Sequence, residues 1–336
     1  MITKHLAAAT IAAILAGVST SALADTTMGD QLAADGKFRK AFKEYLHQGK
    51  KNNDPDALYR AADLLKKGKG VTANAAQAQN LYSGALKQYI KLGRDGEADA
   101  AFQAAQMLND GTGIKADTKR ATTWYKKALK LYRGQIENPN GEAALRISEI
   151  FRDGLGVKAD AKKAAAWEAR SMRFFVEAAK KGGAEEALRV AEFFKTGTAT
   201  IPPNPKKSDA WYKNAARKLD KAAKAGDADA AMKLARMYEI GEGVDKNIKQ
   251  SARYLRFAAV GGSVEALKTL AVLHQEGKDL KKDTVLALAI LEIAAESGDE
   301  DAVESRDRLA KRMPENKIQA AKRRSEKLLS SWKSAS

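Results

Sequence analysis

The chain has 336 residues, no Cys and 3 His, with 59 Lys and Arg against 42 Asp and Glu for a formal charge of +17. The absence of thiols excludes disulfide frameworks, thiolate metal centres and a lipid anchor on a cleavage-site Cys. The positive surplus bears on solubility and on acidic partners, and hardly on fold.

Met1–Ala24 has the three parts of a secretory signal: a short polar start at Lys4 and His5, an apolar run Leu6–Val18, and small residues in Ala22-Leu23-Ala24 before Asp25. The run is too short and too alanine-rich for a membrane span. The segment predicts cleavage near Ala24 and a periplasmic or secreted protein with no stable membrane anchor. Residues 25–53 hold one helical pattern, with Phe38, Phe42 and Tyr45/Leu46 at helical spacing, which predicts an N-terminal capping helix. Asn52-Asn53-Asp54-Pro55 then opens the first full unit.

From there the chain repeats itself. Turn glycines fall at Gly68, Gly111, Gly154, Gly197, Gly241 and Gly277, at spacings of 43, 43, 43, 44 and 36 residues. Four and three positions before each stand Leu64/Leu65, Met107/Leu108, Ile150/Phe151, Phe193/Phe194, Met237/Tyr238 and Leu273/His274. After each turn a bulky residue recurs at Leu81, Trp124, Trp167, Trp211, Tyr254 and Ile290. Apolar residues every three or four positions on both sides predict two helices per unit, each with one apolar stripe. Neither helix covers its stripe alone, so the units must stack, and a fixed period of this size predicts a solenoid. Trp211 to Ala230 is 19 residues and Tyr254 to Ala266 is 12. The seven extra residues, about two turns or roughly 10 Å of helix, predict longer second helices in the first four units.

The run Ala231–Gly261, with Leu234-Ala235, Tyr238, Gly241-Glu242-Gly243-Val244, Lys246-Asn247, Ala252 and Tyr254-Leu255, resembles the Sel-one-like repeat family, a branch of the tetratricopeptide superfamily. Met107–Ala128 and Ile150–Trp167 match the same pattern, and the similarity spans residues 54–298. The resemblance implies an all-α fold, a right-handed α-solenoid of six helix-turn-helix repeats, used as a protein-interaction scaffold, often in bacterial envelopes. It suggests roles in exopolysaccharide export assemblies or as an extracytoplasmic partner of sensors. Two features depart from the family: the 43-residue period is long, and the fourth unit replaces Gly-x-Gly by Gly197-Thr198-Ala199-Thr200 and a proline-rich loop. The Cys-rich, disulfide-bearing version of the repeat is absent. Residues 299–336, with Met313-Pro314-Glu315 and Trp332, resemble a terminal helix found in such proteins and predict a basic C-terminal cap. No linker or composition shift interrupts the chain, so one elongated domain is expected.

Lysines lie along every unit, among them Lys66/Lys67, Lys126/Lys127, Lys162/Lys163, Lys206/Lys207 and Lys281/Lys282. They read as solvated helix faces. The alternative is a basic stripe for an acidic protein, an anionic polysaccharide or phospholipid headgroups. No nucleic-acid motif is present, and export argues against that partner. In the tail, Ile318, Ala321, Leu328 and Trp332 form one stripe beside Lys322-Arg323-Arg324 and Lys327, as an end cap with a polar outer face requires.

Catalytic material is sparse. His47 has no second His or Cys at ligand spacing, and His274 fills a position held elsewhere by Tyr238, Phe194, Phe151, Leu108 and Leu65, which predicts helix packing. The Gly-x-Gly pairs lack the third glycine of a dinucleotide loop and the Lys-Ser/Thr of a P-loop. No catalytic, cofactor or metal residue is assigned; a hydrolase acting on cell-wall material is the third reading, after protein scaffold and glycan binder. Trp124, Trp167 and Trp211 are read as inward. Their neighbours Tyr125 and Tyr212 are read as partly exposed, and with Lys126, Lys127, Lys206 and Lys207 they are the candidate contacts for a partner, expected to be an envelope protein.

Overall fold

The computed structural model describes residues 26–34, 36–198, 200–277 and 280–334. The segment Met1–Ala24, expected to be a secretory signal, lies outside these residues, as does Ala199 of the fourth loop. Among the described residues every regular element is an α-helix: α1 (Thr26–Ala34), α2 (Phe38–Lys51), α3 (Pro55–Lys67), α4 (Ala75–Asp95), α5 (Ala98–Asp110), α6 (Thr118–Gln135), α7 (Gly141–Asp153), α8 (Ala161–Lys180), α9 (Ala184–Thr196), α10 (Pro205–Lys224), α11 (Ala228–Ile240), α12 (Ile248–Val260), α13 (Val264–Glu276), α14 (Thr284–Glu296), α15 (Glu300–Ala310) and α16 (Glu315–Ser334). The fold is all-α and built of helix-turn-helix pairs, the solenoid class that the repeat predicts.

The pairs begin and end where short polar residues and glycine dictate. Asp54, Asn74, Asp117, Asn140, Asn204, Asp227, Asn247, Ser263, Asp283 and Asp299 stand at N-caps, each accepting a hydrogen bond from a backbone N–H in the first turn. Such a cap is worth about 1 kcal/mol. The first helix of five units stops at a left-handed glycine; Gly111, at φ 69°, donates its N–H to the Met107 carbonyl. In the fourth unit Gly197 has ψ 174° and leads the chain away instead, and Thr198 donates to the Ile201 carbonyl at 2.7 Å. One bond recurs regardless of the loop. The N-cap of each second helix donates its N–H back to the first: Asn74 to Leu65, Asp117 to Leu108, Asp160 to Phe151, Asn204 to Phe194, Asn247 to Tyr238 and Asp283 to His274, at 2.6–3.1 Å. This backbone tie fixes the hairpin in the fourth unit despite its different loop.

The second helices α4, α6, α8 and α10 have 21, 18, 20 and 20 residues, whereas α12 and α14 have 13 each. The additional residues of the long period are therefore helical.

Contacts divide the described chain into two compact units, residues 1–171 and 172–336, with the division inside α8. Within the first unit, α3–α4 and α5–α6 pack as pairs, and α4 packs on α5. The second glycine of the turn makes that stacking possible. A Cβ on Gly113 would lie 2.7 Å from the Tyr82 carbonyl carbon in α4, and its φ of 83° also favours glycine. The terminal segments each form two helices where one was expected. At the N-terminus the break between α1 and α2 is Gly36, with φ 75°. There Gly36 donates to the Ala33 carbonyl and Lys37 to that of Leu32, closing α1. Leu32, Ala41, Tyr45, Ala57, Ala61 and Leu64 form the core of this end.

In the second unit, α9–α10, α11–α12 and α13–α14 are the pairs, and Leu219, Leu234, Leu255, Leu270, Leu288 and Ile290 lie within one core. Full burial of each such side chain is worth about 1.5–3 kcal/mol. Pro314, which lacks the N–H needed to continue a helix, separates α15 from α16. Helix α16 then lies against α14 and α12, burying Ala321 and Leu328.

Candidate partner-binding surface

The tyrosines and tryptophans of the second helices exchange the places expected of them. Tyr125 and Tyr212 are buried, at 4% and 7% exposure, while Trp124, Trp167 and Trp211 are only partly buried. The tyrosine points at the first helix of its own pair, where a carboxylate accepts its hydroxyl. Tyr212 donates to Glu192 at 2.6 Å, and Tyr82 donates to Asp63. Tyr125 instead meets Phe102 edge-on, with ring centroids 5.5 Å apart, and burial pushes its hydroxyl up to about 12. At Tyr82 and Tyr212 a tyrosine suits the inward position because its polar end meets an acid there.

The tryptophan falls one position round the helix. Gly93 in α4 leaves room for the Trp124 ring, since a Cβ there would lie 2.9 Å from ring atom Cζ3. Lys127 Nζ sits 5.4 Å from the centre of that ring and donates to the Arg94 carbonyl at 3.4 Å. Lys207 Nζ lies 5.2 Å from the Phe194 ring. Lys126 and Lys206 are exposed. Of the candidate contacts, Lys126, Lys206 and Lys207 thus remain accessible. Tyr125 and Tyr212 are withdrawn, because their exposure was the reason for naming them.

Some of the lysines are paired with neighbouring carboxylates. Lys67 pairs with Asp63, Lys163 with Asp160, Lys213 with Asp209 and Lys224 with Asp220, all at 2.8–3.1 Å within one helix or its cap. Lys195 and Lys233 reach across helices to Glu242 and Glu185, each at 2.5 Å. Exposed pairs of this kind add little stability.

His274 is 7% exposed and packs in the core, as its repeat position predicts. Burial pushes its imidazole below the ordinary value. Among the described residues no group of three His, Cys, Asp or Glu is placed to hold a metal ion, and no helix is long and apolar enough to cross a membrane.

A cavity lies in the second unit, between α12, α14 and α16. It has a volume of about 490 Å³ and is lined by Arg256, Arg323, Arg324, Lys327, Leu328 and Trp332, among others, none acidic. Arg256 is half-buried beneath Trp332, with its guanidinium carbon 5.9 Å from the ring centre. Its Nε is buried without a hydrogen-bond acceptor, and burial lowers its affinity for its proton. Arg324 is partnered by Asp283 at 2.9 Å. The sequence marks Arg323, Arg324 and Lys327 as a basic run, and reads Trp332 as part of an end cap. It gives no signal that Arg256, some seventy positions earlier, joins them.

A scan against family models finds the Sel1 repeat at residues 55–88, 98–131, 141–167, 187–218, 228–263 and 264–299, more than half of the chain. The chain belongs to the Sel1 repeat family. The matched copies coincide with the helix pairs α3–α4 through α13–α14 described above. Among solved structures, this Sel1 repeat protein is similar to a Sel1 repeat protein from Oxalobacter formigenes, at 22% identity over 81% of this chain and 100% of that one, with a TM-score of 0.33. It is also similar to c5321, a protective antigen of uropathogenic Escherichia coli strains displaying an SLR fold, at 17% identity over 90% and 82% of the two chains, with a TM-score of 0.32. A third is immunity protein Pa5087 from Pseudomonas aeruginosa, at 17% identity over 72% and 82%, with a TM-score of 0.30. No curated protein matches the chain. Membership rests on the six copies and not on these distant likenesses.

Proposed function

We propose that this Sel1 repeat protein is a non-catalytic scaffold that binds other proteins in the bacterial envelope. The observation that carries the reading is the run of six matched repeats, a module that generally mediates protein–protein interaction. Their partly exposed tryptophans supply anchors of the kind that dominate interfaces. The three-part segment Met1–Ala24 supports a periplasmic or secreted location. Exopolysaccharide export or its regulation is the setting suggested by resemblance.

Binding of an anionic glycan is the competing reading. Lys195, Lys213, Lys224 and Lys233 face carboxylates and would add little to a glycan row, which would rest on exposed lysines such as Lys126 and Lys206. Co-purification at increasing salt separates the two. An apolar-centred protein complex persists through a few hundred millimolar salt. A polysaccharide held by exposed charge is released over the same range, where the screening length falls below about 8 Å; release of everything bound would overturn the scaffold reading.

A further inference from the structure

The cavity between α12, α14 and α16 holds more positive charge than its surroundings balance. Arg256, Arg323, Arg324 and Lys327 line it, and Asp283 answers only Arg324. Among the described residues no carboxylate lies within ion-pair distance of Arg256, Arg323 or Lys327. Arg256 is the informative member, because a half-buried guanidinium is costly to leave unpaired. Its Nε finds no acceptor within the chain. The Trp332 ring above it offsets part of that cost through its negative face. A long apolar side chain would fill the same space between α12 and α16 without any such penalty. A guanidinium is instead suited to a planar oxyanion, which it holds through two parallel N–H bonds. Leu286 and Leu328 on the cavity wall add an apolar side to the cationic one.

We infer that this cavity is a binding site for a protein carboxylate: an Asp or Glu side chain from an acidic segment of the partner, held by Arg256, Arg323 and Lys327, with an adjoining apolar residue against Trp332, Leu286 and Leu328. The inference rests on the scaffold reading and names the chemistry of one of its contacts. A carboxylate fits better than a free inorganic anion because the walls are apolar as well as cationic. The volume of about 490 Å³ also exceeds what a bare ion fills.

The test uses the full chain and a fluorescent, end-blocked peptide alternating Glu and Leu, with two controls: the same peptide carrying Gln for Glu, and inorganic phosphate as competitor. The Glu peptide binds, the Gln peptide binds at least tenfold more weakly, and millimolar phosphate displaces the Glu peptide poorly. Arg256→Met lowers affinity at least tenfold while raising the melting temperature, since it removes an unpaired buried charge and keeps an apolar stem. The double variant Arg323→Ala/Lys327→Ala changes two exposed side chains, and it weakens binding with the fold intact. The control Lys87→Ala/Lys91→Ala, at two exposed lysines of α4, leaves binding unchanged. Equal binding of the Gln peptide, wild-type affinity in both cavity variants, or full displacement by phosphate at low concentration overturns the assignment. If the cavity fails while protein complexes still form in cells, the scaffold reading stands without it; if no protein complex forms, that reading fails separately.

Discussion

Tyr132 of α6 donates its hydroxyl hydrogen to the carboxylate of Asp99, 33 positions earlier at the start of α5, at 2.6 Å. The ring is 1% exposed, and Tyr89 makes the equivalent bond to Asp56 one unit earlier. Burial, with the negative charge of Asp99, pushes the Tyr132 hydroxyl well above its ordinary value, so it remains a donor at any working pH. The bond ties the far end of a second helix to the first turn of its partner.

Tyr132→Phe removes that tie without leaving a cavity. Bonds to charged groups contribute about 1.5–3 kcal/mol. Asp99 is half exposed and lies 3.9 Å from Arg146, so water and the guanidinium recover part of the loss. The expected cost is about 1 kcal/mol, read as a lower urea midpoint with an unchanged slope. The third unit has Phe175 at the corresponding position, which shows that the pair folds without the hydroxyl.

The two turn glycines Gly96 and Gly113 separate backbone strain from packing. Both have positive φ, at 111° and 83°, but nothing lies within 4 Å of a Cβ on Gly96 while the Tyr82–Ser83 backbone crowds one on Gly113. Gly96→Ala is expected to cost about 1 kcal/mol from the left-handed backbone alone. Gly113→Ala adds a collision worth about 1–3 kcal/mol more. Thermal melts of the two variants check the ordering; equal losses would mean that the loop does not lean on α4.

Acid lowers the stability of the second unit through His274. Burial holds its pKa below 6.5; the cations Arg256 and Arg324 lower it further, and Asp283 opposes them. The neutral ring is therefore preferred in the folded chain. Stability is fully present above about pH 6.5 and falls as pH drops from there toward the depressed folded pKa, because the unfolded chain takes up the proton first. The slope in that window is at most about 1.4 kcal/mol per pH unit. His274→Phe, the aromatic type found at Phe151 and Phe194, is expected to flatten the curve below pH 6.5. An unchanged slope would assign the effect to other groups.

The helix pairs were legible because caps and stripes are local. Asp117 and Asn247 announce second helices, Gly111 and Gly241 end first ones, and the extra seven residues translate directly into turns of α4 to α10. The terminal breaks were missed for a weaker signal, since Gly36 and Pro314 stand alone in otherwise periodic stretches. The exchange of tyrosine and tryptophan was illegible. Both are large aromatics on adjacent positions, and the choice between them depends on carboxylates such as Glu192 reaching over from the paired helix. The cationic cavity joins Arg256 to a helix that begins at Glu315, a contact made by packing and not by periodicity.

In the proposed role the repeat surface holds other proteins. A photo-crosslinking residue placed at exposed Ser331, on the mouth of the cavity, and at exposed Thr123 on α6 tests it in the cells that make the chain. Discrete protein adducts are expected on irradiation, with the Ser331 adduct lost in Arg256→Met. Irradiation that yields no protein adduct at either position, or adducts to polysaccharide alone, contradicts it.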